Sequence, residues 1–319
     1  MATIATVDLR QWRAGGAAAD EVCRLVDDGL RRAGFLLVTG HGINPELPAR
    51  VRQAARYFFR LPGEVKQQYA STQPGLPGWL GPGLEANGYS EGTATPPDMK
   101  ETLGFQAQTP TGDHDVDRRW FNPNIWPVEI PELRGLYEIY LVYMERLTHE
   151  LLTLCAVALG QRPDALTALA HNAMWSSNIN HYPPLTVTGP AQAGQFRIGP
   201  HTDFGTVTIL DREPGAGGLQ VYTDEAGWED APFDPTALTV NIGDILAYWT
   251  GHRWRSGRHR VLAPPVSAPD EELISLIYFH DLSPEARVVP LAKPVAVSDR
   301  LEPVVAGEYL AAKIDAISL

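Results

Sequence analysis

Residues 197–210 read RIGPHTDFGTVTIL and residues 240–261 read VNIGDILAYWTGHRWRSGRHRV. Both stretches mix short β-branched runs with glycine, proline and aspartate. The same texture surrounds them: SNINHYP at 177–183, GLQVYT at 218–223, ALTVNIG at 237–243, DILAYWT at 244–250 and LISLIYF at 273–279. Short strand-like runs separated by turn residues predict a β-sandwich or barrel-like core. Residues 303–316 read as a closing helix.

Upstream the period changes. Residues 17–33 place Val22, Leu25, Val26 and Leu30 at helical spacing, and residues 45–60 predict a second helix. Residues 130–159 predict the longest one. Its apolar stripe runs through Leu133, Leu136, Tyr137, Tyr140, Tyr143, Leu147, Leu151, Leu154 and Ala158. GFLLVTGHGI at 34–43 reads as a buried strand ending in a glycine turn. Residues 71–97, rich in Gly, Pro, Ser and Thr, predict a long loop of the kind that often covers a site. The expected class is therefore α+β, with a mainly helical region over 1–170 and a β core with a C-terminal helix over 171–319.

The formal net charge of −12 over 319 residues argues against nucleic acid or an anionic membrane as the main partner, since both attract clustered Lys and Arg. A small-molecule substrate is the expected partner. Cys23 and Cys155 are the only cysteines and read as reduced core thiols. The start MATIATVDLRQW lacks the pattern of a secretory signal, and no run reaches the ~20 apolar residues of a membrane span. A cytoplasmic setting is the expectation.

The chemistry concentrates in three residues. In a strand, residues i and i+2 share a face, so His201 and Asp203 are predicted to reach one metal ion together. His259, 56 residues beyond Asp203, lies in another strand-like run and supplies a third ligand. Two imidazoles and a carboxylate on one face leave positions open, the arrangement of non-haem Fe(II) oxygenases. Zinc accepts the same ligands, so the residue types alone keep both metals in play. His181 and His280 fall in runs near this cluster and are weaker candidates for substrate contact; the other histidines form no comparable group.

Taken together these motifs resemble the isopenicillin N synthase-like family of Fe(II)/2-oxoglutarate-dependent dioxygenases. GFLLVTGHGI and ARYFFRLPGEVKQQYA resemble its N-terminal region, DMKETLGF its D-x-K-E element and NINHYPP its N-x-Y-P strand. RIGPHTDFGTVTIL is similar to the segment carrying the first two iron ligands. GGLQV, the Trp228 segment and the stretch 240–261 complete the core and supply the third. The resemblance implies a double-stranded β-helix, or jelly roll. It also implies Fe(II), O₂ and 2-oxoglutarate as cofactors, the last being decarboxylated to succinate as a small metabolite is hydroxylated, desaturated or cyclised. Asp203 stands where related halogenases leave room for chloride, so halogenation is not expected. Asn180 and Tyr182 match positions lining the co-substrate pocket, with strand hydrogen bonding and packing as the alternative role. Lys100 and Glu101 read as a structural ion pair.

One departure bears on the co-substrate. The family holds its distal carboxylate with an R-x-S pair, and here the matching residues are Leu273 and Ser275. An arginine there would give a bidentate, charge-assisted contact, and leucine gives none. No Arg or Lys lies between Val261 and Arg287 to take its place by a register shift. Arg197 is the first substitute, with Arg212, Arg258 and Arg260 behind it. The other readings are an oxidase independent of 2-oxoglutarate, a site for an oxo-acid lacking a distal carboxylate, and a metal-binding protein without turnover.

Overall fold

The computed structural model describes residues 4–73, 75–92, 95–298 and 301–317. Four strands lie in the N-terminal region: β1 (Ala5–Asp8), β2 (Phe35–Thr39), β3 (Gly78–Leu80) and β4 (Glu101–Gln106). Among them run α1 (Leu9–Ala14), α2 (Gly16–Arg32), α3 (Glu46–Phe59) and α4 (Gly63–Lys66), followed by α5 (His114–Trp120) and α6 (Pro131–Ala158). The core follows with β5 (Trp175–Tyr182), α7 (Leu185–Thr188), β6 (Ile198–His201), β7 (Val207–Asp211), β8 (Leu219–Thr223), β9 (Gly227–Asp230) and β10 (Leu238–Ile242). It ends with α8 (Asp244–Trp249), β11 (His259–Val261), β12 (Leu273–His280), β13 (Arg287–Val288), β14 (Val304–Val305) and α9 (Ala306–Ile317).

These strands form the two facing sheets of a jelly roll. The larger has the order β1-β2-β10-β7-β12-β5-β4-β3 and the smaller β6-β11-β8-β9, while β13 and β14 pair separately. The helical region and the β core thus share one sheet, because all four N-terminal strands join it. Alternation along the larger sheet decides what each face meets. Ile179, Ile209, Ile274, Leu276 and Tyr278 point outward and pack with Val26, Leu30, Val51, Phe58, Tyr140 and Leu151 of the helices. Between the sheets, Phe35 and Leu37 meet Leu219, Val221 and Ala231.

The helices α2, α3, α6 and α9 fall where periodicity puts them. Three expectations change. DILAYWT is not a strand but α8. A short apolar run is ambiguous between strand and helix, and here Gly243 turns the chain against Gly205 while Asp244 opens the helix. Tyr143 leaves the α6 stripe and is 37% exposed. Residues 71–97 are not a plain loop: they hold β3, paired with β4, and a 3₁₀ turn over Asn87–Glu91. The reason lies in the polar groups that flank the segment. Trp79 Nε1 donates to Glu101 at 2.7 Å, and Asp98 accepts from Asn87 N–H, the Asn87 amide and Gly199 N–H.

Lys100 and Glu101 do not pair with each other. Lys100 bonds Glu85, while Glu101 accepts from Lys66 Nζ at 2.7 Å and lies 2.9 Å from His181 Nδ1. Glu101 is buried, which by itself raises its carboxyl, but His181 and Lys66 hold it below the usual range. A carboxyl depressed in the folded state stabilises above its unfolded value and loses that contribution as acid protonates it. Lys66→Met leaves a buried charge short of its cation, and is expected to cost about 3 kcal/mol at neutral pH. The deficit should shrink below about pH 4. Urea melts of both proteins across that range check the loss and its sign.

Candidate metal centre

The smaller sheet brings the three predicted residues together. His201 ends β6 and lies directly opposite His259, the first residue of β11, in an antiparallel pair. Their rings are 4.1 Å apart between centroids. Asp203 arrives by a different route from the one its spacing suggests. β6 stops at His201, so the carboxylate is carried by the turn after the strand rather than by strand alternation. That turn is fixed by its backbone: the Asp203 carbonyl accepts from Asp244 N–H at 2.8 Å, and the Phe204 carbonyl from Ile245 N–H at 3.1 Å. The close approach of Gly243 to Gly205 leaves no room for a Cβ there.

The tautomers follow from the partners. His201 Nδ1 lies 2.8 Å from the Gly199 carbonyl, and His259 Nδ1 lies 2.8 Å from the Gly257 carbonyl. A carbonyl only accepts, so each Nδ1 carries the hydrogen and each Nε2 is the acceptor nitrogen, the one that can bind a metal. His201 Nε2 is 3.7 Å from Asp203 Oδ1, and one ligand atom from each of the three residues lies within 4.8 Å of the others. The second oxygen of Asp203 accepts from Thr208 Oγ1 at 2.6 Å and Asn241 Nδ2 at 2.7 Å. Burial alone would raise this carboxyl, but His259 and His201, with those two hydrogen bonds, hold it below the usual carboxylate range. Phe35 packs edge-on against the His259 ring at 5.3 Å. The result is an oriented nitrogen–nitrogen–oxygen donor set that fits a divalent first-row metal with open positions.

The predicted co-substrate residues gather nearby. Asn180 on β5 is directly opposite Ser275 on β12, and Tyr182 is opposite Leu273. All but Leu273 are buried, and Leu273 packs toward Gly215. Arg197 is 1% exposed and lies 5.3 Å over the Tyr182 ring. It already holds an anion: Nη1 donates to Glu271 Oε1 at 2.6 Å and Nη2 to the Glu271 carbonyl at 3.1 Å. Arg258 and Arg260 are instead stacked on Trp228, and Arg212 bonds the carbonyls of Ala231 and Pro232. A buried cation that sequence reasoning assigned only to structure, Lys100, also lies close enough to influence Tyr182. His181 faces away, stacked on Phe59 at 4.8 Å, and His280 is tied to Thr206 with burial pushing its ring down to about 3.

Residues 4–129 match the family model described as non-haem dioxygenase in morphine synthesis N-terminal, and residues 175–281 match the 2OG-Fe(II) oxygenase superfamily. Validamycin A dioxygenase of Streptomyces hygroscopicus subsp. limoneus is 42% identical over 316 residues, covering 98% of this chain and 86% of the relative. The chain belongs to the 2OG-Fe(II) oxygenase superfamily. It is a non-haem Fe(II) dioxygenase that uses 2-oxoglutarate and O₂ as its relatives do. A Neurospora crassa protein solved with alpha-KG and thymine is 25% identical, with a TM-score of 0.82 over 98% of this chain and 96% of that one. A Caulobacter crescentus family protein, 24% identical with a TM-score of 0.84 over the full length of both, shares the oxygenase fold. No helix among the described residues is long and apolar enough to cross a membrane.

The hydrogen bonds behind Asp203 give this oxygenase a testable feature. Removing either donor frees the carboxylate to rotate or to bind through both oxygens. Thr208→Val and Asn241→Leu are each expected to weaken Fe(II) binding roughly ten- to a hundredfold. Anaerobic calorimetric titration with ferrous ion measures this directly. Parent-like affinity in both variants would show that the two hydrogen bonds do not orient the ligand.

Proposed function

We propose that His201, Asp203 and His259 hold the ferrous ion and that the enzyme oxidises a hydrophilic small metabolite, validamycin A or a near relative of it. The observation that carries the substrate assignment is the 42% identity to validamycin A dioxygenase along 98% of the chain. When bound, the metal with 2-oxoglutarate and O₂ supplies the oxidation, and the co-substrate leaves as succinate and carbon dioxide.

The chain's own residues orient and neutralise. The carbonyls of Gly199 and Gly257 keep both Nε2 atoms aimed at one point. Ser275 and Tyr182 supply hydroxyl donors for the distal carboxylate of 2-oxoglutarate, beside Asn180, which accepts from Thr102 at 2.9 Å. Arg197 supplies the positive charge that Leu273 does not, and shares it with Glu271. Glu271 also accepts the N–H groups of Ala216 and Gly217, so the loop before β8 and the cation are held by one carboxylate.

Incubation with Fe(II), 2-oxoglutarate, O₂ and validamycin A should release succinate together with an oxidised product, read by mass spectrometry. Succinate at the substrate-free level would rule out validamycin A as substrate. The co-substrate assignment has its own test. Glu271→Gln relieves the competition for Arg197 and is expected to tighten 2-oxoglutarate binding. Arg197→Met is expected to loosen it by roughly ten- to a hundredfold, the worth of a hydrogen-bonded charge. Titration of the anaerobic Fe(II) protein with 2-oxoglutarate reads both. Unchanged affinity in Arg197→Met would move the role to Lys100.

A further inference from the structure

The larger sheet carries a row of polar side chains on its inner face. Its registers align Thr102 of β4 with Asn180 of β5 and Ser275 of β12. Leu103, Ile179 and Leu276, one step along, are fully buried in the cluster formed with the helices. Side chains alternate along a strand, so the row Thr102–Asn180–Ser275 faces the smaller sheet. The next row sets Leu273 opposite Tyr182. Continued one residue before the start of β4, that row reaches Lys100.

The contacts on either side place the lysine. Glu101 turns to the helical side, where it accepts from Lys66. Lys100 turns the other way: Nζ donates to Thr102 Oγ1 at 3.0 Å, and Thr102 Oγ1 donates to Asn180 Oδ1 at 2.9 Å. Just upstream the chain is tied to the strand that bears His201. Met99 N–H donates to the Phe196 carbonyl at 2.9 Å, and Gly199 N–H donates to Asp98 at 3.0 Å. The ammonium is thus held between the sheets, in the row where the family resemblance implies an arginine and Leu273 stands. Two strand spacings, about 10 Å, separate those two positions, and the flexible four-carbon stem of lysine recovers part of that span. Burial alone would lower the ammonium, but Glu85 and Asp98 hold it above the usual lysine range, so it keeps its charge. Arg197 is the second buried cation beside Tyr182.

Each cation already has an acid. Arg197 holds Glu271, and Lys100 holds Glu85. Both pairs are neutral, so an incoming carboxylate finds no spare positive charge until one acid leaves. Glu271 is fastened by three donors, Arg197 Nη1, Ala216 N–H and Gly217 N–H, and its side chain is 11% exposed. Asp98 is fastened by Asn87 and by Gly199 N–H. Among the described residues Lys100 is the only donor to the Glu85 carboxylate, and that side chain is 27% exposed. Glu85 therefore has the fewest hydrogen bonds to lose and the shortest way back to water.

We propose that Lys100 is a co-substrate-binding residue, which exchanges Glu85 for the distal carboxylate of 2-oxoglutarate and holds that carboxylate together with Arg197. Glu85, carried on the 71–97 segment, is then a built-in competitor whose release accompanies co-substrate entry. The proposal deepens the oxygenase reading above and rests on it.

The test compares two ligands with the same oxo-acid head group, 2-oxoglutarate and 2-oxobutanoate, of which only the first has a distal carboxylate. Each titrates the Fe(II) protein under nitrogen, read by the charge-transfer absorbance. Lys100→Met is expected to weaken 2-oxoglutarate roughly ten- to a hundredfold and to leave 2-oxobutanoate unchanged. Lys100→Arg, which keeps a cation, is expected to recover most of that loss. Glu85→Gln, which keeps the lysine, is expected to tighten 2-oxoglutarate several-fold and not 2-oxobutanoate, and decides the matter if the lysine variants do not fold. Equal loss of both ligands in Lys100→Met would mark a structural role and overturn the proposal. So would parent-like affinity for 2-oxoglutarate in Lys100→Met or in Glu85→Gln. If only Arg197→Met loses 2-oxoglutarate, this proposal falls and the Arg197 assignment stands. If Lys100→Met loses it while Arg197→Met does not, the Arg197 assignment falls and the role of Lys100 stands. A parent that binds neither ligand would overturn both.

Discussion

The antiparallel pair of His201 with His259 is the contact on which the functional architecture depends. It sets two imidazoles side by side, and the carbonyls of Gly199 and Gly257 fix both in the tautomer whose Nε2 is the lone-pair nitrogen. Everything else at the centre adjusts to this pair. The turn after β6 must then return a carboxylate to the same point. It does so because Asp244 and Ile245, at the start of α8, clamp its backbone, and because Thr208 and Asn241 hold one carboxylate oxygen from the larger sheet. The metal-binding geometry therefore joins both sheets, and neither carries it alone.

The surrounding charges follow the same logic of fixed partners. Lys66, Glu101, His181, Glu272 and Arg60 form a continuous polar chain from the buried end of β4 to the surface. Phe59 stacks on the histidine within it. This chain docks α3 and α4 on the sheet, which positions β3 and the 71–97 segment over β6. Asp98 makes the last connection, accepting Gly199 N–H two residues before His201. Asn87 and the strand bearing His201 are thus joined through a single carboxylate.

Much of this was legible in the residues. Long periodic helices, the strands on either side of the centre and the three residues that the smaller sheet and its following turn bring together were readable because each depends on local pattern or on residue type. The route by which Asp203 reaches the centre was not, since it depends on contacts with residues 243–245 some forty positions away. The helix at 244–249 was hidden for the same reason, because a short apolar run acquires its conformation from the turn that precedes it. Leu273 is visible in the chain as a leucine where the resemblance implies an arginine, but the pairing of Arg197 with Glu271 is a tertiary fact with no local signal.

The proposed function requires one metal with open positions on His201, Asp203 and His259. A crystal structure of the protein grown without oxygen, with Fe(II) and 2-oxoglutarate, tests it most directly. The account predicts one ferrous ion on Nε2 of His201, Nε2 of His259 and Oδ1 of Asp203. It also predicts the co-substrate's distal carboxylate within reach of Ser275, Tyr182 and Arg197. A metal with all its positions filled by protein, or seated away from these three residues, would contradict it.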